Sequence, residues 1–123
     1  MKIKEILNYD MDSKEADILV SDGLHDILCY SFMFENKQNF CLVANSPSNI
    51  VMAEKNFYLI DNIQQYEYTL QGEIINIIGT NQDFNAKLIV KVFDLEIIID
   101  EDFPGDLKIS DFINFSVKSI IYK

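Results

Sequence analysis

The sequence has no arginine and no tryptophan, and it has one histidine, two cysteines, two prolines and four glycines in 123 residues. Each scarcity removes a class of chemistry. All ten basic residues are lysines, so the planar guanidinium fork that grips phosphate, carboxylate or guanine edges in bidentate fashion is absent. Twenty Asp and Glu set the formal net charge at -10, and a chain of that sign is repelled by polyanions. No nucleic acid and no anionic membrane surface is therefore expected as a partner. An AT-rich genome would produce the same bias, since 19 Ile and 11 Asn accompany the missing arginine.

The single histidine limits catalysis. His25 follows Asp22-Gly23 and precedes Asp26, but neighbouring strand residues face opposite ways, so Asp26 does not orient its ring. Cys29 shares its face at a spacing of roughly 13 Å, beyond hydrogen-bond reach. His25 thus reads as a hairpin-end residue without an active role. Gly23, Gly72, Gly79 and Gly105 are too scattered to cradle phosphate, and two cysteines 12 positions apart make no zinc knuckle. Neither an enzyme nor a bound cofactor is expected.

Cys29 and Cys41 lie in apolar stretches and read as reduced core residues. Met1 to Tyr9 alternates Lys and Glu with Ile and Leu, without an apolar leader core, and no run approaches the roughly 20 apolar residues of a membrane-spanning helix. A cytoplasmic protein is the expectation.

What the chain does have is apolar bulk: 49% hydrophobic residues, including nine Phe and six Tyr. That is enough for one core without a disulfide or metal, in a single domain over 1–123. Alternation of period two recurs almost throughout. Ile113, Phe115, Val117 and Ile121 share one face and Asn114, Ser116 and Lys118 the other, while Leu88, Val90 and Val92 point inward between lysines. Ile97-Ile98-Ile99 is a continuous β-branched run, which suits a central strand covered on both sides.

Such patterning predicts about eight to ten strands, at 2–9, 16–21, 25–34, 40–45, 50–54, 57–61, 66–78, 86–93, 95–100 and 112–122. Asp22-Gly23 predicts a two-residue type I′ hairpin, Gly79 to Asn85 a connection, and Pro104-Gly105 a type II turn. Ser46-Pro47 is compatible with a helix start, but Ile50 and Val51 favour strand over 46–55. The expected fold is all-β: one antiparallel barrel or sandwich with at most one short helix. The strand spacing of 66–122 resembles that of partly open OB-like or SH3-like barrels, in pattern only.

An internal repeat also shows, with an offset drifting from 68 to 70. Glu5-Ile6-Leu7-Asn8 matches Glu73-Ile74-Ile75-Asn76, Ala16 to Val20 matches Ala86 to Val90, and Ile27-Leu28-Cys29 matches Ile97-Ile98-Ile99. Halves 1–65 and 66–123 would then share one core, although Ile-rich strands also match by chance.

Carboxylates are the concentrated chemical resource. Asp10, Asp12, Glu15, Asp17, Asp22 and Asp26 form one window; Asp94, Glu96, Asp100, Glu101, Asp102, Asp106 and Asp111 form another, and together they hold thirteen of the twenty acids. No EF-hand spacing accompanies them, and the paired acids of a glycosidase would lack a tryptophan platform. Acidic windows steer basic partners, and they also keep a protein soluble. Tyrosines at strand ends, Tyr66 and Tyr68 among them, are the natural anchors for such an interface, while most other aromatics belong to the core.

The sequence is thus expected to be a non-enzymatic acidic protein-binding module that sequesters a basic protein. By composition alone it suits the small acidic bacterial proteins that neutralise a basic toxin. The alternatives are an OB-like nucleic-acid binder and a small-ligand or Ca²⁺-binding barrel.

Overall fold

The computed structural model describes residues 1–79 and 86–123. Its strands are β1 (Lys2–Tyr9), β2 (Ala16–Ser21), β3 (Asp26–Ser31), β4 (Leu42–Asn45), β5 (Ser48–Met52), β6 (Leu59–Gln64), β7 (Glu67–Ile78), β8 (Lys87–Val92), β9 (Leu95–Ile99), β10 (Phe112–Val117) and β11 (Ser119–Tyr122). No helix occurs among the described residues. Within 46–55 the chain forms no helix but the short strand β5: Ser46 and Asn49 take left-handed φ of 51° and 53°, and the φ at Ser46 rules out the extended backbone of a helix cap. The predicted connection from Gly79 to Asn85 lies, beyond Gly79, outside the described residues.

The strands join one sheet in the order β1-β2-β3-β11-β4-β9-β8-β7-β10-β5, with β6 also on β7. The expected all-β fold is observed and its pairings are mostly antiparallel; the sheet is nonetheless mixed, because β3 and β11 run parallel, as do β4 and β9. The stretch 112–122, expected as one strand, breaks at Lys118. β10 pairs with β7 and β5 before the break, and β11 pairs with β4 and β3 after it. The break shifts the inward phase, so Ile120 is fully buried beside Phe115 and Ile113.

Two turns depart from the sequence reading. At Asp22-Gly23 only Gly23 has positive φ, at 103°. The Asp22 carboxylate accepts the N–H groups of Leu24 and His25, at 2.9 and 2.7 Å, so the two-residue tip shifts to Gly23-Leu24 instead of a type I′ pair. Near Pro104 the turn centres on Gly105-Asp106 and Gly105 keeps a negative φ, which excludes type II.

The meanders β1-β2-β3 and β7-β8-β9 correspond in register. Ile18 faces Cys29 and Val20 faces Ile27 in one; Leu88 faces Ile99 and Val90 faces Ile97 in the other, each position displaced by 70. Even the bulge recurs, between Ile3 and Glu5 in β1 and between Ile74 and Asn76 in β7. The partner of Glu5 is thus Asn76, not Glu73, since a one-residue slip would turn every side chain to the wrong face. Between the meanders lie β11 and β4, each parallel to the third strand of the other half.

The sheet does not close by backbone pairing, because β1 and β5 end the order. Instead it coils until side chains join its flanks. The Tyr68 hydroxyl accepts the Leu28 N–H at 2.9 Å, where β11 no longer covers β3, and the Tyr66 hydroxyl donates to Asp17 at 2.6 Å. One apolar cluster, including Ile18, Ile27, Leu42, Leu70, Ile97 and Phe115, fills the coil and draws on both halves. At Gly72 β7 and β8 approach so closely that a Cβ would clash with the Lys91 carbonyl oxygen.

Candidate functional site

The acids of the first window divide between the two ends of β2. At its start, β1, β2 and β3 place Tyr9, Ala16 and Ser31 in one row, and the connections around that row open a cleft of about 520 Å³. Asn8, Tyr9, Asp10, Met11, Glu15, Asp17, Tyr30 and Tyr66 are among its walls. Asp17 is fixed from two sides, by the Tyr66 hydroxyl at 2.6 Å and the Asn8 amide at 2.9 Å. Its carboxylate pushes the Tyr66 phenol up to about 12, with burial adding to the effect. The Tyr30 phenol is raised as well, first by partial burial and then by Glu15 beside it. The Tyr66 hydroxyl is held as a donor to the Asp17 carboxylate. Tyr30 packs edge-on against Tyr66 at 6.0 Å and against Phe32 at 4.9 Å.

Asp10 accepts the N–H groups of Asp12 and Ser13, at 2.9 and 3.3 Å, and so shapes the loop that forms the cleft rim. Asp12 and Glu15 are exposed. No described group of three or more Asp, Glu, His or Cys side chains converges as a metal site.

At the far end of β2, about 17 Å along the strand, Asp22 plays a structural part. Its side chain is 2% exposed and accepts from Leu24, His25 and, across the molecule, the Asp94 N–H at 3.1 Å. His25 Nδ1 lies 3.2 Å from the same carboxylate, and its ring stacks on Phe93 at 3.6 Å and 13°. These hydrogen bonds outweigh burial and hold the Asp22 carboxyl well below the usual carboxylate range. Asp26 is ion-paired with Lys4 at 2.7 Å, and that bond lowers its carboxyl too.

Members of the second window do not gather at one point. Asp94 and Asp100 flank opposite ends of β9, about 20 Å apart along it. Lys91 lies 3.8 Å from Asp94. Glu101 accepts the Ser46 N–H at 3.0 Å, and Asp111 accepts the Lys108 N–H at 2.8 Å, both of which tie loops to the sheet. Glu96, Asp100, Asp102 and Asp106 are exposed. Of the cysteines, Cys29 is fully buried, with its thiol pushed up by burial, while Cys41 is exposed, contrary to its reading as a core residue. Backbone pairing with Lys123 at 2.8 and 2.9 Å holds Cys41 just ahead of β4.

Sequence reasoning missed the cleft, because it forms only when Tyr66, 49 positions away, reaches Asp17. The strand-end position of Tyr66 was the available signal. It also missed Asp22 as the link between hairpin ends.

The architecture defines an all-β protein built on one coiled mixed sheet. No family model matches the chain, and neither a curated protein nor a solved structure does. No described helix is long and apolar enough to cross a membrane.

Proposed function

We propose that the protein is a non-enzymatic binding module whose acidic surface engages a basic protein. The observation that carries this reading is the shortage of internal neutralisation. Of the ten lysines, only Lys4 and Lys91 form ion pairs with carboxylates among the described residues. Ten of the thirteen acids in the two windows, all but Asp17, Asp22 and Asp111, are exposed. A surface of one sign raises the association rate of an oppositely charged partner and destabilises the lone protein by self-repulsion.

The test is affinity capture from the native host, followed by reconstitution of the recovered protein with the purified chain. A basic partner in a saturable complex that weakens more than tenfold between 50 and 500 mM NaCl supports the reading. An acidic or salt-insensitive partner overturns it. So does single-stranded RNA or DNA bound tighter than micromolar at physiological salt, or a Ca²⁺-induced rise in Tm, which would mark a native-state ligand of another class.

A further inference from the structure

Two other concavities, beside Val51, Met52 and Phe57 and beside Met1, pair their single carboxylate with lysine, Glu54 with Lys55 and Asp22 with Lys2 and Lys4; the cleft at the start of β2 has Asp10, Glu15 and Asp17 and no lysine in its lining. It is a concavity of about 520 Å³, its rim and floor carry carboxylates, and large apolar side chains stand exposed at its border. Met11, in the cleft wall, is 81% exposed, and Phe32, whose ring abuts the cleft residue Tyr30, is 61% exposed. Apolar groups of that size left in water beside a pocket mark an interaction surface.

The charge says what kind of partner covers it. Asp10, Asp12, Glu15 and Asp17 face one lysine, Lys14, in the same stretch. Lys14 makes no ion pair among the described residues. Asp17 receives one donor on each oxygen, and a carboxylate offers about four acceptor sites, so it retains capacity for a planar donor. Tyr9, Tyr30 and Tyr66 supply aromatic surface, which attracts a guanidinium as well as packing its stem.

We propose that this cleft receives an arginine side chain from a basic segment of the partner, with a neighbouring apolar residue of that segment covering Met11 and Phe32. The inference rests on the basic-partner reading and adds to it the place and the anchor. It assigns the exposed acids around Asp100 to long-range steering, because Asp94 and Asp100 stand at opposite ends of β9 and Glu101 already holds the Ser46 N–H.

The test uses the full chain and three capped octapeptides, of alternating arginine and leucine, arginine and serine, and glutamate and leucine. Binding is followed by calorimetry and by backbone amide shifts at 50 mM NaCl. The arginine-leucine peptide should bind tightest and shift residues 9–17, 30–33 and 66. The double variant Asp10→Asn with Glu15→Gln should weaken it at least tenfold; Asn at position 10 keeps an oxygen for the Asp12 and Ser13 N–H groups, so the loop survives. Phe32→Ser should weaken the arginine-leucine peptide several-fold and leave the arginine-serine peptide unchanged. The triple variant Asp100→Asn, Glu101→Gln, Asp102→Asn should stay within twofold. Shifts centred elsewhere, or a triple variant as damaging as the double, overturn the cleft assignment while leaving the basic-partner reading standing. Equal binding of the glutamate-leucine peptide, or no binding by either arginine peptide, overturns both.

Discussion

Asp22 shows how a carboxylate in an acidic window becomes part of the framework. Its side chain is almost fully buried at the meeting of two hairpin ends and accepts three backbone N–H groups. The folded-state carboxyl lies below its unfolded value of 3.8, so its contribution to stability is complete above about pH 4 and disappears as pH falls through and below that value. Asp22→Asn should destabilise the protein by about 1–3 kcal/mol at pH 7, as expected when buried donors lose a charged acceptor. Urea midpoints measured from pH 7 down to pH 2 should converge for wild type and variant. Parallel curves would show that Asp22 does not titrate in this way. Gly72 poses a purely steric question: Gly72→Ala forces a methyl group against the Lys91 carbonyl, and β7 or β8 must shift. A loss of about 1–3 kcal/mol is expected, at the scale of overpacking elsewhere. Phe93 departs from the rule that bulky residues avoid left-handed φ. It sits at 54°, at the position where the other meander has Gly23, and its stack on His25 and contact with Tyr58 offset the strain.

At the scale of elements, strands were legible wherever one face is buried and the next residue is not. Lys87 to Val92 alternates in burial around its inward Leu88, Val90 and Val92, and Leu95 to Ile99 alternates too although Ile97-Ile98-Ile99 is a continuous apolar run; both elements appear within a residue of expectation. Partners across the sheet were not legible. The pairing of Tyr30 with Ile121, and of Val43 with Ile98, joins positions with no local signal of their proximity. The repeat pointed to two similar meanders but placed β1 three positions out of step with β7, because Ile-rich strands score well at several offsets and only the bulge fixes the register. The acidic cleft was hidden for the same reason, since Tyr66 and Asp17 meet only after the sheet coils. The coil itself is open to test. Tyr68→Phe removes the acceptor for the Leu28 N–H with little change of shape, and should cost about 1–3 kcal/mol with an unchanged denaturant slope. An effect below 0.5 kcal/mol would mean that water replaces the phenol and that the flanks are held by apolar packing alone.

For the molecule as a whole, the charge works against the fold that carries it. A net charge of -10 is drawn around one core by a sheet with few lysine-carboxylate contacts. Attractive pairs lose strength in salt and so does self-repulsion, and their balance sets the sign of the response. With two lysines paired among the described residues, repulsion should dominate. The Tm should therefore rise between 10 and 300 mM NaCl, by about 3–5 °C if screening recovers about 1 kcal/mol at this chain length. Neutralising Asp100, Glu101 and Asp102 together should raise the Tm at 10 mM salt and shrink the further rise; Gln at position 101 keeps an oxygen for the Ser46 N–H but loses its charge, which offsets part of the relief. Asp100→Asn with Asp102→Asn leaves Glu101 in place and isolates the charge effect. A Tm that falls with salt, or a double variant less stable at 10 mM, would show that these acids stabilise the free protein. Their exposure would then have an explanation within the fold. A rise leaves exposed carboxylates that the fold would be more stable without, as expected of a surface kept negative for a partner.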